Sequence, residues 1–310
     1  MSMSLPTQYQ GIIMFKRTPL FSAITATLAL GLVSISANAA SLVALNSNNQ
    51  IGIFDSSSTL IDTTSFKTIT GAAAGESFIG IDLRPSNNQI YGISTSNKIY
   101  TIDASTGAST FVAALSSDII SSSKGYGLDF NPVADRTPNA SLRLVSNTGD
   151  NYAINVLTGA VTVATSISAG FSGVAYTNSD PSSASAPGST GLYYVNSTDN
   201  SLSFTGTGFN NPTLSNVGPL GVDVLSGNGF EILADGSAYA AFNWDDGLLK
   251  TGLFSIDLAT GAATQTSLFI GTINGLTVAA VPEPGTYAML LAGLGMLGFA
   301  ARRRGNAKFK

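Results

Sequence analysis

FIGIDLRPSNNQIYGISTSNKIYTIDASTGASTFVA, residues 78–113, reads as four short strands in a row. Apolar residues alternate through Phe78–Leu83, Gln89–Ile93, Lys98–Ile102 and Ala108–Val112, with Pro, Asn, Ser or Gly at the junctions. A period of two marks a strand with one buried face, and the junction residues are those that turns select. The third strand ends at Asp103-Ala104-Ser105-Thr106-Gly107, and parallel endings run from Asn155 to Gly159 and from Asp257 to Gly261. There an Asp or Asn side chain closes a local turn and Gly takes a positive φ, so these acids read as structural.

The start of the unit recurs. Gly80-Ile81-Asp82-Leu83 is followed by Gly127-Leu128-Asp129-Phe130, Gly173-Val174-Ala175-Tyr176, Gly221-Val222-Asp223-Val224 and Gly275-Leu276-Thr277-Val278, at glycine intervals of 47, 46, 48 and 54 residues. Four-stranded units of this period are blades of a propeller. The expectation is an all-β, β-propeller-like fold with about five four-stranded blades. The last inner strand, Asn274 to Val278, has no blade after it. Ser41–Leu45, Gln50–Phe54 and Thr59–Thr64 have no inner strand before them. Joining these N- and C-terminal strands in one blade closes the ring and hides the sheet edges.

Composition excludes several chemistries. The 310 residues contain neither Cys nor His, which removes disulfides, thiolate metal sites and His-containing triads. Between Ala40 and Val281 stand 17 Asp/Glu against 7 Lys/Arg, and such an acidic body disfavours nucleic acid. With no His, the metal hypothesis is a hard cation held by carboxylates, calcium above all, at Asp82, Asp129 and Asp223 if the inner strands bring them together. The competing role is structural, with the same carboxylates bonded to backbone N–H groups. Trp244, beside Asp245 and Asp246, is a candidate sugar-stacking residue or a core residue.

The ends carry a different message. From Met14, the expected start, Lys16 and Arg17 precede an apolar stretch from Leu20 to Ile35 and then Ala37-Asn38-Ala39, the order of a secretory leader cleaved by signal peptidase. At the other end, Tyr287 to Ala301 carries no charge and Arg302, Arg303 and Arg304 follow it. That pattern leads to the expectation of a transmembrane helix with a cytoplasmic basic tail at 305–310. Val281-Pro282-Glu283-Pro284, the apolar segment and the arginine triplet together resemble the PEP-CTERM sorting signal. The resemblance implies an exported protein of a Gram-negative, exopolysaccharide-making bacterium, whose tail is handled by an exosortase-type membrane protease. It also implies a place at the outer surface or in the matrix, with exopolysaccharide as a partner and membrane attachment through the tail helix.

A second resemblance rests on residues 125–164. Asp129-Phe130-Asn131-Pro132, Asp135-Arg136, Leu142-Arg143, Val145-Ser146, Gly149-x-Asn151 and Asn155-x-x-Thr158-Gly159 are similar to the signature of the DUF4394 family. Here Thr137-Pro138-Asn139-Ala140-Ser141 stands as an insertion, which lengthens a hairpin loop. The resemblance implies a domain over about 40–280 and no particular activity. Arg136 and Arg143 stand out because cations are rare in this body. They read either as partners of Asp129 or Asp135 or as a pocket for an acidic sugar. Two function classes follow: a non-enzymatic binding or structural module outside the cell, or a cation-dependent hydrolase or lyase acting on a lactone or polysaccharide.

Overall fold

The repeated glycine sits where five inner strands crowd together. The computed structural model describes residues 39–280 apart from 226–228 and 245–249, and beyond them only Leu294. Its inner strands are Phe78–Arg84, Tyr126–Phe130, Phe171–Tyr176, Gly229–Ile232 and Ile273–Val278. Each packs against the next and the last returns to the first, so the ring is closed. A β-carbon on Gly127 would stand 2.6 Å from the Gly173 Cα, and one on Gly229 2.4 Å from the Leu276 nitrogen. Only glycine permits that approach.

Behind each inner strand stand three more, paired antiparallel, which gives five blades. The first four blades begin at Phe78, Tyr126, Phe171 and Gly229. The fifth is composite: Ile273–Val278 pairs with Ser41–Asn46, followed by Gln50–Asp55 and Lys67–Thr68. The chain ends are thus zipped by backbone hydrogen bonds in register from Leu42 opposite Val278. The alternation read from the sequence now has a destination. Apolar side chains leave both faces of each blade and fill the gaps between blades, as where Tyr91, Ile93 and Ile99 meet Leu128, Phe130 and Leu142. Tyr91 and Phe130 meet edge-on across that gap at 5.4 Å, a contact worth ~1 kcal/mol beyond the area it buries. The three Asx-to-Gly strings are turns: Ser105 N donates to Asp103 Oδ1 at 2.8 Å, Leu157 N to Asn155 Oδ1 at 3.0 Å and Ala259 N to Asp257 Oδ1 at 2.8 Å. Gly107, Gly159 and Gly261 follow them at φ of 78°, 74° and 84°.

Two expected strands lie elsewhere. Gly221 is in a turn at φ 78°, and the fourth inner strand is Gly229-Phe230-Glu231-Ile232. The segment 179–190, SDPSSASAPGST, lengthens the third blade, so the interval from Gly173 to Gly229 is 56 residues and the next only 46. Thr59–Thr64 is not a strand of the composite blade. Leu60–Ile61 pairs in parallel with Leu268 and Phe269 on the fourth blade, and Asp62 then stops the strand by accepting from Thr64 N at 2.9 Å to start a 3-10 turn. The same segment therefore straps the fourth blade to the fifth.

The expected transmembrane helix is corrected. Among the described residues no helix is long and apolar enough to cross a membrane. Between residues 39 and 280 the one α-helix described, Pro132–Asp135, has four residues, because the alternating and turn-rich sequence there favours strands and turns. Tyr287 to Ala301, the segment from which the helix was read, lies outside the described residues apart from Leu294, as do Ala37, Pro282, Glu283, Pro284, Arg302, Arg303 and Arg304. Ala39, described, is exposed.

Candidate functional site

The third residues of the five inner-strand strings are, in order, Asp82, Asp129, Ala175, Glu231 and Thr277, and all but Ala175 converge. An inner strand has a free edge, so some of its N–H groups find no partner within their own blade and need one from outside it. Four of these five side chains supply it, each to the fourth residue of the next blade's string. Asp82 Oδ2 accepts from Phe130 N at 2.7 Å, and Asp129 Oδ1 from Tyr176 N at 3.1 Å. Glu231 Oε2 accepts from Val278 N at 3.2 Å and Thr277 Oγ1 from Leu83 N at 2.9 Å. Ala175 breaks the series because it has no acceptor. The ring is held by side-chain caps passed from blade to blade.

The carboxylates pay an electrostatic cost for that position. Oxygens of Asp82, Asp129 and Glu231 all lie within 4.8 Å of one another, and the three residues are 4 %, 2 % and 3 % exposed. Burial pushes the Asp82 carboxyl up to about 7, against the pull of its bonds from Phe130 N and Thr277. Burial, then the charge of Asp82, holds Glu231 well above the usual carboxylate range. Asp129 is raised in the same way, by burial and then by the charges of Asp82 and Glu231. The Thr277 hydroxyl lies 2.9 Å from both Asp82 Oδ1 and Glu231 Oε2, and its single proton serves one of them at a time. Three carboxylates and a hydroxyl make an all-oxygen set of the kind that suits calcium and not a softer metal.

Access to this ring is restricted. At the glycine end, Gly80, Gly127, Gly229 and Gly275 line a void of about 10 Å³, room for one water at most. At the opposite end, a cavity of about 300 Å³ is lined by loops that leave the inner strands of four blades, among them Pro85, Pro132, Asn178, Asp180 and Ala234. None of the three carboxylates lines it. Arg136 stands in this mouth and donates to the Ser183 and Pro85 carbonyl oxygens, so it ties the loops of the first and third blades to its own. Its neighbour Asp135 is fully taken: Arg84 Nε donates to Oδ1 at 2.5 Å and Ser86 N to Oδ2 at 2.7 Å.

Arg143 lies away from the mouth, in the gap between the second and third blades. It is 3 % exposed and pairs with neither Asp129 nor Asp135. Its Nη1 donates to Asn151 Oδ1 at 2.7 Å, Nη2 to Asn210 Oδ1 at 2.8 Å and Nε to the Tyr176 hydroxyl at 3.4 Å. Trp244 ends its strand half-buried, with its ring edge-on to Phe254 at 5.4 Å, and packs on the core between the third and fourth blades. Asp223 is exposed on the loop before the fourth blade and accepts from Asn200 Nδ2 at 3.0 Å. The structure therefore brings Asp82 and Asp129 together, leaves Asp223 outside, and puts Glu231 in the ring. The signal for Glu231 was present: Gly229-Phe230-Glu231-Ile232 repeats the string with Glu in place of Asp.

Residues 50–279 match the model of a domain of unknown function, DUF4394. The chain belongs to this family. Residues 280–304 match the PEP-CTERM protein-sorting motif, so the DUF4394 propeller is exported and directed to an exosortase-linked sorting system. No curated protein matches the chain. Among solved structures, it is similar to regucalcin, a calcium-binding protein of Agrobacterium tumefaciens, at 15 % identity and a TM-score of 0.34, covering 60 % of this chain and 58 % of that one, less than two thirds of its length. It is also similar to a candidate 6-phosphogluconolactonase from Bacteroides uniformis, at 16 % identity and a TM-score of 0.38, covering 77 % of this chain and 71 % of that one. Likenesses of this size bear on neither ligand nor activity.

Proposed function

We propose that this DUF4394 propeller is a non-enzymatic binding module that acts outside the cell, with exopolysaccharide as its partner. The observation that carries the reading is the fate of the central carboxylates. Asp82, Asp129 and Glu231 are the groups a propeller hydrolase or lyase would be expected to use, and they are buried and spent on backbone N–H groups of neighbouring blades. An acid or base must come within hydrogen-bond reach of the substrate, and a sugar is far larger than the void at the glycine end. The loops between strands are instead rich in Ser, Thr, Asn and Gly, which suit contact with a hydroxyl-rich polymer.

In this reading signal peptidase cuts after Ala39 and an exosortase-type protease acts near Pro282-Glu283-Pro284. The test uses the protein recovered from its producing cells, with its intact mass recorded and mixed with polysaccharide purified from the same cells. The expected result is a mass that ends near Pro284, sedimentation of the protein with the polymer, and no new reducing ends. Shortened polymer chains would overturn the non-enzymatic reading in favour of the hydrolase or lyase.

A further inference from the structure

Arg143 is a buried cation for which the described residues provide no counter-ion. No carboxylate among the described residues lies within ion-pair distance of it, whereas Arg84, Lys98 and Lys124 pair with Asp135, Glu76 and Asp150. Withdrawing a charge from water costs several kcal/mol unless a partner repays it, and here the acceptors are two neutral amides and a phenol. A guanidinium carries five N–H donors. Three are used, by Asn151, Asn210 and Tyr176, which leaves one each on Nη1 and Nη2. Two hydrogens on those two nitrogens are what a carboxylate takes two-pronged.

The surroundings match that demand. Arg143 lines a groove of about 460 Å³ together with Asn131, Ser141, Phe209, Asn210 and Asn211. Asn210 and Asn211 are exposed, and Phe209 is half-buried with its ring held edge-on against Tyr176 at 5.0 Å. Loop and floor are fixed to one another, since Asn151 Nδ2 donates to the Phe209 carbonyl at 3.2 Å and Thr165 N to the Asn210 carbonyl at 2.9 Å. A cation fork, amides and one aromatic ring are the parts that recognise a sugar bearing a carboxylate. The ring takes the apolar face, the amides the hydroxyls and the fork the acid.

We propose that the groove over Arg143 binds a hexuronic acid residue of a polysaccharide, with the carboxylate on the free Nη1 and Nη2 hydrogens. This rests on the binding-module reading and supplies its ligand class. The test is calorimetric titration of the mature protein with a trimer of galacturonic acid and with the matching neutral galactose trimer. The acidic trimer is expected to bind at least tenfold more tightly. Asn210→Asp places a built-in carboxylate on Nη2, and it is expected to weaken the acidic trimer at least tenfold. Arg143→Lys keeps the charge and loses the fork, and the same loss is expected, which covers failure of the first variant to fold. Equal affinity for the two trimers, or acidic-trimer binding indifferent to both substitutions, overturns the groove. Cleavage of either trimer overturns the binding-module reading instead, so the two failures are distinguishable.

Discussion

Thermal unfolding of the mature domain is expected at its highest temperature near pH 5, falling as the pH rises to 9. The cause is the central ring. A carboxyl whose pKa is raised on folding binds a proton more tightly in the folded state. Its contribution is therefore complete below the unfolded value near 4 and is lost as pH climbs through the folded value. For Asp82, moved from 3.8 to about 7, roughly three units are at stake. At ~1.4 kcal/mol each they amount to ~4 kcal/mol, or roughly 10 °C in a domain of this size. Asp129 and Glu231 act in the same direction. Below pH 4 the slope reverses, because Glu76 and Asp150 are held low. Burial opposes this in both, and is outweighed at Glu76 by Lys98 and Tyr100 and at Asp150 by Lys124 and Ser146.

Asp129→Asn separates the ring from all other titrations. The amide oxygen still accepts from Tyr176 N, and one of three crowded acids is gone. The variant is expected to melt above the parent at pH 8, to match it at pH 5, and to show a flatter profile between. Calcium at pH 8 offers neutralisation by charge in place of protons. A rise in melting temperature that Asp129→Asn abolishes assigns an ion to the ring, and an unchanged temperature leaves protons as its only neutralising charge. A parent protein whose melting temperature rises from pH 5 to 8 would contradict the electrostatic account.

The second large effect comes from glycine. Gly229→Ala introduces a β-carbon 2.4 Å from the Leu276 nitrogen and 2.8 Å from the Gly275 carbonyl carbon. Both belong to the neighbouring inner strand, so no side-chain rotation relieves the contact and the ring itself must open. Overpacking a core costs about 1–3 kcal/mol where side chains can shift, and the upper end or beyond is expected here. Combining it with Gly127→Ala, which meets the Gly173 Cα at 2.6 Å, is expected to remove most of the ~5–15 kcal/mol that holds a domain together. Gly188→Ala, with nothing within 4 Å of its β-carbon, is the control and is expected to stay within about 0.5 kcal/mol of the parent in denaturant titration.

What was legible in the sequence was local or periodic. Strands show as alternation, the turns at Asp103, Asn155 and Asp257 as an acid or amide followed by glycine, and the blades as a recurring Gly-apolar-Asp-apolar string. The composite blade follows from counting strands at the two ends. The fourth string was misplaced because Gly221 keeps the average spacing, while the SDPSSASAPGST loop pushes the true one, at Gly229, eight residues further on. The role of the third residue was only half visible. Its recurrence can be read, but its hydrogen bond goes to a strand about 47 residues away, as from Asp82 to Phe130 and from Asp129 to Tyr176. The setting of Arg143 was hidden for the same reason, since Asn210 lies 67 residues downstream and comes from another blade.

The central claim is that the three ring carboxylates are a sealed part of the scaffold. Labelling the folded protein with a water-soluble carbodiimide and an amine, followed by peptide mass mapping, tests it most directly. Exposed Asp223 and Asp235 are expected to be modified quickly, and Asp82, Asp129 and Glu231 only after unfolding. Modification of any of these three in the native state, at a rate near that of Asp223, would show the ring open to solutes and contradict the account.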